Sequence, residues 1–180
     1  VQFDRAVAKA VDLAEVSAQV RRLVEEEKVA AIAVCFLHSY ANPAHEDAVA
    51  AHVRREFPSL SVCTSSDVFP HIREYERWTT ATMNAYAQPM VARYVESIEK
   101  GLGALGFGGR LYIMASNGGT ITPEVARRYP VRILESGPAA GALMSALQGR
   151  RLGIENLLSF DMGGTTAKGC LIRRMEPLKK

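Results

Sequence analysis

The stretch "LLSFDMGGTTAKGCLI", Leu157 to Ile172, holds the residues with most to offer a ligand. Two apolar runs are joined there by an acid, two glycines and two threonines, whereas a connection built only to turn needs two central residues such as Asn-Gly. Gly163 and Gly164 let a backbone come close to a bound group and adopt positive φ, which presents amide protons to phosphate oxygens. Thr165 and Thr166 add hydroxyl donors. Asp161, at a strand end, has the chemistry to hold a magnesium-bound water or to orient an attacking water, because magnesium keeps most of its own waters and takes one or two carboxylates. These are the parts of a nucleotide phosphate clamp, although the same six residues could also form a glycine-rich turn with an incidental acid. No G-x-x-x-x-G-K-[ST] occurs, and no G-x-G-x-x-G follows a strand and opens a helix. The device is therefore neither a P-loop nor a dinucleotide-binding turn.

Asn117, Gly118 and Gly119 follow the strand-like run "RLYIMAS", at the end where open α/β sheets place their ligands. They either approach substrate or nucleotide or simply turn the chain. His38, His45 and His52 recur every seven residues but divide between a strand end and a helix, so spacing makes no metal set of them. Arg73, Glu74, Glu76 and Arg77 read as a solvated or interdomain charge cluster, with a site role as the alternative. Sequence order supports no Ser-His-Asp or Cys-His arrangement.

The elements that must position these residues alternate. Asp12 with Glu15 forms a capping box ahead of Val16, Val20, Leu23 and Val24 at helical spacing. "VAAIAVCFL" has strand length. Asn42 then caps a helix with Pro43 at its first position and Val49, Val53 and Phe57 facing inward, and "LSVCTS" is a second strand. Strand, helix, strand implies parallel pairing with helices on the sheet faces, an α/β organisation. Arg73 to Glu99 predicts a long helix kinked or split at Pro89, with Trp78, Thr82, Met90, Tyr94, Ile98 and Leu102 on its inner stripe. "GLGALGFGG" reads as connection, Thr122 with Pro123 starts a short helix, and "VRILE" reads as a short strand. Pro138 opens a helix that closes at Gly149, whose Gly137, Gly141 and Ser145 form a face of small residues suited to close helix packing. Leu157 to Asp161 is a buried strand, and Ala167 to Arg173 is its hairpin partner.

The bulk numbers exclude several classes. With 22 basic and 19 acidic residues scattered along 180, and 7% aromatic content, no basic or stacking surface for nucleic acid stands out. The longest apolar run is too short to span a bilayer, so no membrane partner is expected. Cys35, Cys63 and Cys170 stand far apart in apolar runs and read as free thiols in a reducing cytoplasm. The chain opens on Val and reads as a piece of a longer protein.

The succession of Glu135, small-residue helix, short charged linker, apolar strand and Asp-x-Gly-Gly-Thr resembles the hinge helix and second phosphate loop of the actin, sugar-kinase and heat-shock-chaperone ATPase superfamily. More narrowly, "SYANPAHE", "REYERWTTATMNAYAQP", "MASNGG", "ESGPAAG" and "FDMGGTT" are similar, in order, to stretches of the hydantoinase A and 5-oxoprolinase family. The resemblance covers most of the chain from about Ala33 onward. It implies an actin-like, ribonuclease-H-like α/β fragment with a mostly parallel sheet, flanking helices and a terminal β-hairpin phosphate loop. Residues 1–72 would end the family's N-terminal region and residues 73–180 would begin its core domain.

The implied function is ATP-dependent opening of a cyclic amide, a hydantoin or 5-oxoproline, by phosphoryl activation of its carbonyl. The cofactors would be ATP and magnesium, and the partner a hydantoinase B-type subunit or domain in an oligomer. Asp161 would be the catalytic and metal-holding residue. Gly163, Gly164, Thr165 and Thr166, with Asn117, Gly118 and Gly119, would meet the nucleotide. The first phosphate loop and the adenosine site of the family have no match here, so the isolated segment is not expected to turn over. Many relatives carry an acid where this chain has Lys168, which could meet a phosphate or be a solvated hairpin residue. Within the superfamily the alternatives are an acetone carboxylase subunit acting on a ketone and a non-catalytic ATP switch.

Overall fold

The computed structural model describes residues 1, 2 and 4–178, which form two compact units. The first comprises residues 1–101 with 127–131, the second residues 102–126 with 132–180.

In the first unit, helix α1 (Leu13–Glu25) starts where the Asp12 carboxylate accepts from the Ala14 and Glu15 amides, at 2.9 and 3.2 Å. Strand β1 (Ala31–Val34) runs to helix α2 (Ala44–Glu56) and returns as strand β2 (Ser61–Thr64), paired in parallel from Ala31 opposite Ser61 to Val34 opposite Thr64. Pro43 takes the cap of α2 rather than its first turn, and Asn42 Oδ1 accepts from the Ala44 amide at 3.1 Å. One sheet face and α1 and α2 enclose Val20, Val34, Val49, Val53 and Val62. The other face, through Ala31, Ala33 and Cys63, meets Val68 of helix α3 (Ser65–Val68) and Ala85 of helix α4 (Glu74–Ala104).

Helix α4 continues through Pro89 for 31 residues, where a kink or break was expected. A proline removes one amide donor, and the hydrogen bonds on either side carry the helix across the gap. Its buried positions are Arg77, Ala81, Asn84, Ala85 and Val95, while Met90 and Tyr94, assigned to the inner stripe, are 60% and 65% exposed. Polar groups won the inner face because distant backbone satisfies them. Asn84 donates to the Arg128 carbonyl at 3.1 Å and accepts from the Val131 amide at 3.3 Å.

Arg77 departs most from the sequence reading, since its side chain is fully buried rather than solvated. It donates to Ser65 Oγ at 3.1 Å and to the carbonyls of His71 at 2.6 Å and Phe36 at 3.0 Å. Ser65 Oγ in turn donates to Glu46 at 2.7 Å. That carboxylate, also fully buried, accepts from the Phe36 and Ser66 amides, both at 2.8 Å, and from Ser66 Oγ at 2.7 Å. The network ties the carboxy-terminal ends of β1 and β2 to the first turn of α4. Arg73 and Glu76 pair on the surface, as expected of that cluster.

All three cysteines are free. Burial, reinforced by the Glu46 charge, pushes the Cys35 thiol up to about 12 from its ordinary 9.0. A thiol with a raised folded pKa contributes stability that is complete below pH 9 and is lost as pH rises towards 12, because only the unfolded chain ionises in that window. Urea midpoints at pH 8 and pH 10 should therefore fall more for the parent than for Cys35→Ala. Equal falls would show that Cys35 does not set the alkaline limit.

In the second unit, β3 (Ile113–Met114) and β4 (Thr120–Ile121) form an antiparallel pair. Thr122 Oγ1 accepts from the Val125 amide at the start of α5 (Pro123–Arg128). "VRILE" is not a strand: residues Pro130–Ile133 form a 3₁₀ turn, with too few residues before the next helix to reach a ladder. Helix α6 (Ser136–Leu152) begins before Pro138 and runs past Gly149 to Gly153, whose φ of +70° ends it. Strand β5 (Leu157–Met162) then pairs antiparallel with β6 (Ala167–Arg173), which pairs with β7 (Glu176–Pro177).

The class is α/β as expected, but among the described residues parallel pairing is confined to β1 and β2. The links 115–119 and 163–166 are far shorter than a parallel crossover requires, so those ladders must be antiparallel. β5 is covered on one face only: Ser159 is 9% exposed, while Leu158 and Phe160 are each 65% exposed. A Cβ at Gly137 or Gly141 would meet nothing within 4 Å, and Ser145 bonds Ser159 of β5, so the small-residue face is open at its glycines and meets a strand, not a helix, at its serine. The close approach is at Gly149, where a Cβ would lie 2.5 Å from Leu157 Cδ1 and 2.9 Å from the Ile154 carbonyl oxygen. Gly149→Ala should cost about 1–3 kcal/mol by overpacking, read as a lowered denaturation midpoint of this chain.

Candidate functional site

The hairpin apex is a four-residue loop, 163–166, closed by the Gly163 amide donating to the Thr166 carbonyl at 3.1 Å. The ladder leads into it with Asp161 opposite Lys168 and Met162 opposite Ala167. Asp161 and the whole of 162–166 are exposed, and the two threonine hydroxyls lie 3.4 Å apart. Gly163 and Gly164 do not adopt the positive φ expected of them, since only Gly106, Gly118 and Gly153 do among the described glycines. A four-residue connection spreads its reversal over more backbone than a two-residue hairpin turn and does not demand the left-handed region at these positions. A Cβ at either would meet nothing within 4 Å. Bare backbone therefore faces open space there, which leaves room for a ligand to approach the main chain.

The loop after β3 is built differently. Asn117 Oδ1 accepts from the Gly119 amide at 2.9 Å, the Ala115 amide bonds the Gly119 carbonyl at 2.8 Å, and the Gly118 amide bonds the Ala115 carbonyl at 3.0 Å. Gly118 has φ +86°, and a Cβ on it would lie 3.0 Å from Leu143 Cδ1, so this position does require glycine. Asn117, Gly118 and Gly119 line a cleft of about 720 Å³ together with Ala139, Ala142 and Cys170. The hairpin residues 161–166 do not line it. The two groups of candidate residues thus stand apart, each on its own loop.

What joins them is Glu135, a residue that carried no assigned role. Its backbone amide donates to Ser116 Oγ at 3.0 Å, immediately before Asn117, and its carboxylate pairs with the Lys168 ammonium across from Asp161. The signal in the sequence was the acid directly before a helix of small residues. The pair is open to water, with the Lys168 side chain 40% exposed, as a solvated hairpin residue would be.

The donor chemistry suits magnesium. Asp161 offers exposed hard oxygens at a strand end, and among the described residues no three His, Cys, Asp or Glu side chains gather as a metal cage. A cation that keeps its waters and takes one or two carboxylates fits such a surface. No helix among the described residues is long and apolar enough to cross a membrane.

Residues 77–180 match the family model "Hydantoinase/oxoprolinase", and residues 1–57 match "Hydantoinase/oxoprolinase N-terminal region". The chain is 38% identical over 141 residues to caprolactamase subunit alpha of Pseudomonas jessenii, covering 78% of this chain and 20% of that one. The crystal structure of that ATP-dependent caprolactamase superposes with a TM-score of 0.81 at 34% identity, over 95% of this chain and 25% of the other. The chain is also 33% identical to 5-oxoprolinase of Saccharomyces cerevisiae, over 77% of its own length and 10% of that protein. It is 30% identical to the acetone carboxylase beta subunit of Xanthobacter autotrophicus, over 81% and 20%. The chain thus spans between a tenth and a quarter of the length of these relatives. The helices and small sheets are those of an actin-like α/β fold, and the chain belongs to the hydantoinase/oxoprolinase family.

Proposed function

We propose that this chain is a central segment of the ATP-dependent subunit of a cyclic-amide hydrolase and carries one wall of its nucleotide site. The observation that carries the reading is the hairpin apex, where an exposed carboxylate, two unobstructed glycines and two hydroxyls stand together in a chain related to an ATP-dependent caprolactamase. In this reading the amides of Gly163 and Gly164 and the hydroxyls of Thr165 and Thr166 bind phosphate oxygens. Asn117, Gly118 and Gly119 meet the nucleotide from their own cleft, and Asp161 holds a magnesium-bound water. Magnesium, when bound, supplies neutralisation of phosphate charge. Residues 1–72 would close the family's N-terminal region and residues 73–180 would open its core.

The chemical need is clear. A resonance-stabilised amide resists water near neutral pH, and a phosphorylated carbonyl oxygen makes its carbon a better electrophile. Catalysis of that transfer is largely positioning and charge stabilisation, which backbone amides, hydroxyls and a carboxylate provide. In this reading the complete protein works with a hydantoinase B-type partner subunit, and the relative named as subunit alpha of a caprolactamase supports the presence of a further subunit.

The acetone carboxylase relative supports a second reading, in which the same phosphate chemistry activates a ketone. Phosphate release by the complete protein with its partner subunit separates the two. Release that depends on a lactam, hydantoin or 5-oxoproline supports the hydrolase. Release that needs a ketone with bicarbonate supports the carboxylase, and basal release unchanged by either leaves an ATP switch.

A further inference from the structure

The Lys168 ammonium sits at a junction. It pairs with the Glu135 carboxylate, and its residue lies directly opposite Asp161 in the β5–β6 ladder. Side chains at paired positions of an antiparallel ladder project from the same face, so Lys168 and Asp161 share a face at the hairpin apex. That face is the one which Leu157 and Ser159, four and two residues before Asp161, turn towards α6, with Ser145 Oγ and Ser159 Oγ 3.3 Å apart. Glu135 stands at the start of α6, and its own amide is bonded to Ser116 beside the Asn117 loop.

The pair is exposed on both sides, 40% for the lysine side chain and 61% for the glutamate. An ion pair in that setting contributes on the order of 0–1 kcal/mol, because water competes for both partners. A phosphate chain carries several negative charges on adjacent oxygens, and a charge-assisted hydrogen bond to it is stronger than a screened surface pair. The ammonium is on a long flexible stem and has no need to stay with one carboxylate.

We propose that Lys168 is the phosphate-facing cation of this hairpin and that Glu135 is its resting partner, so that nucleotide and Glu135 compete for one ammonium. This inference rests on the nucleotide reading of the hairpin. When phosphate takes the ammonium, Glu135 loses its counterion while its amide remains tied to Ser116. The event is thereby passed from the hairpin to the Asn117 loop and to the first turn of α6.

The test is a double-mutant cycle in the complete protein with its partner subunit, titrated with magnesium and a non-hydrolysable ATP analogue in the absence of any cyclic amide. Lys168→Ala should weaken binding about tenfold, the lower end of what a hydrogen bond to a charged group is worth. Lys168→Arg should stay within about threefold of the parent, which guards against a folding defect as the cause. Glu135→Gln should favour binding at least ~3-fold more when Lys168 is present than when it is Ala, whatever Glu135 contributes on its own. Parent binding unchanged by Lys168→Ala, or an equal effect of Glu135→Gln in both backgrounds, overturns the competition while leaving the nucleotide site standing. Absence of binding by the parent protein overturns both.

Discussion

Replacing Arg77 by Met is expected to cost the first unit about 3–5 kcal/mol, the range for removing one member of a buried charged network. The reason is the number of groups left without partners. Arg77 is fully buried and serves Ser65 Oγ and the His71 and Phe36 carbonyls, while Ser65 Oγ donates a hydrogen bond to the buried Glu46 carboxylate. With Met at 77 those carbonyls and Ser65 Oγ lose a donor, and the hydrogen-bonded network around the buried Glu46 carboxylate loses the guanidinium that anchors it to α4. A whole domain is stable by only about 5–15 kcal/mol, so the variant should be largely unfolded at moderate denaturant. Glu46→Gln alone should also destabilise, and the double variant should lose less than the sum, because both substitutions break one network. Urea denaturation of the chain followed by tryptophan fluorescence reads this at Trp78, next to the site. A loss below 1 kcal/mol for Arg77→Met would show that the network is dispensable and that α4 is held by its apolar contacts alone.

Asp161→Asn is expected to lower ATP-dependent turnover of the complete protein at least 100-fold, the scale for removing one preorganised electrostatic contact, while the melting temperature barely moves. The exposed position of Asp161 explains the second half: a solvated carboxylate near the end of a hairpin strand adds little to the core. Gly163→Ala is the companion case. With no atom within 4 Å of the added methyl and no positive φ to strain, the fold should accept it, and any loss of activity would come from a blocked backbone approach. An Asp161→Asn protein that unfolds would mark the hairpin as a structural turn. A folded, fully active one would remove Asp161 from the chemistry.

Both predictions show where sequence patterns carry and where they stop. The α1 cap at Asp12, the parallel strands around α2 and the hairpin from Leu157 to Arg173 were legible because each depends on neighbours within a few residues, whereas the glycine stretch read as connection gave its first four residues, 101–104, to the end of α4. Helix α4 was legible as a helix but not in its orientation. Periodicity weights Met90 and Tyr94 as apolar, whereas the buried face went to Arg77 and Asn84 through partners as distant as Phe36 and Arg128.

The same division holds at the site. Sequence alone determined the chemical content of the hairpin, an acid followed by bare backbone and two hydroxyls, and its place between two strands, because residue type and strand alternation are local properties. Only the tertiary structure decided that the Asn117 loop lines a separate cleft, that Gly149 rather than Gly163 is the crowded glycine, and that Glu135 links the two loops through Ser116 and Lys168. Those facts depend on how α6 lies across the β5–β6 ladder. Packing of that kind depends on the shape of residues far apart in the chain, which no spacing rule encodes.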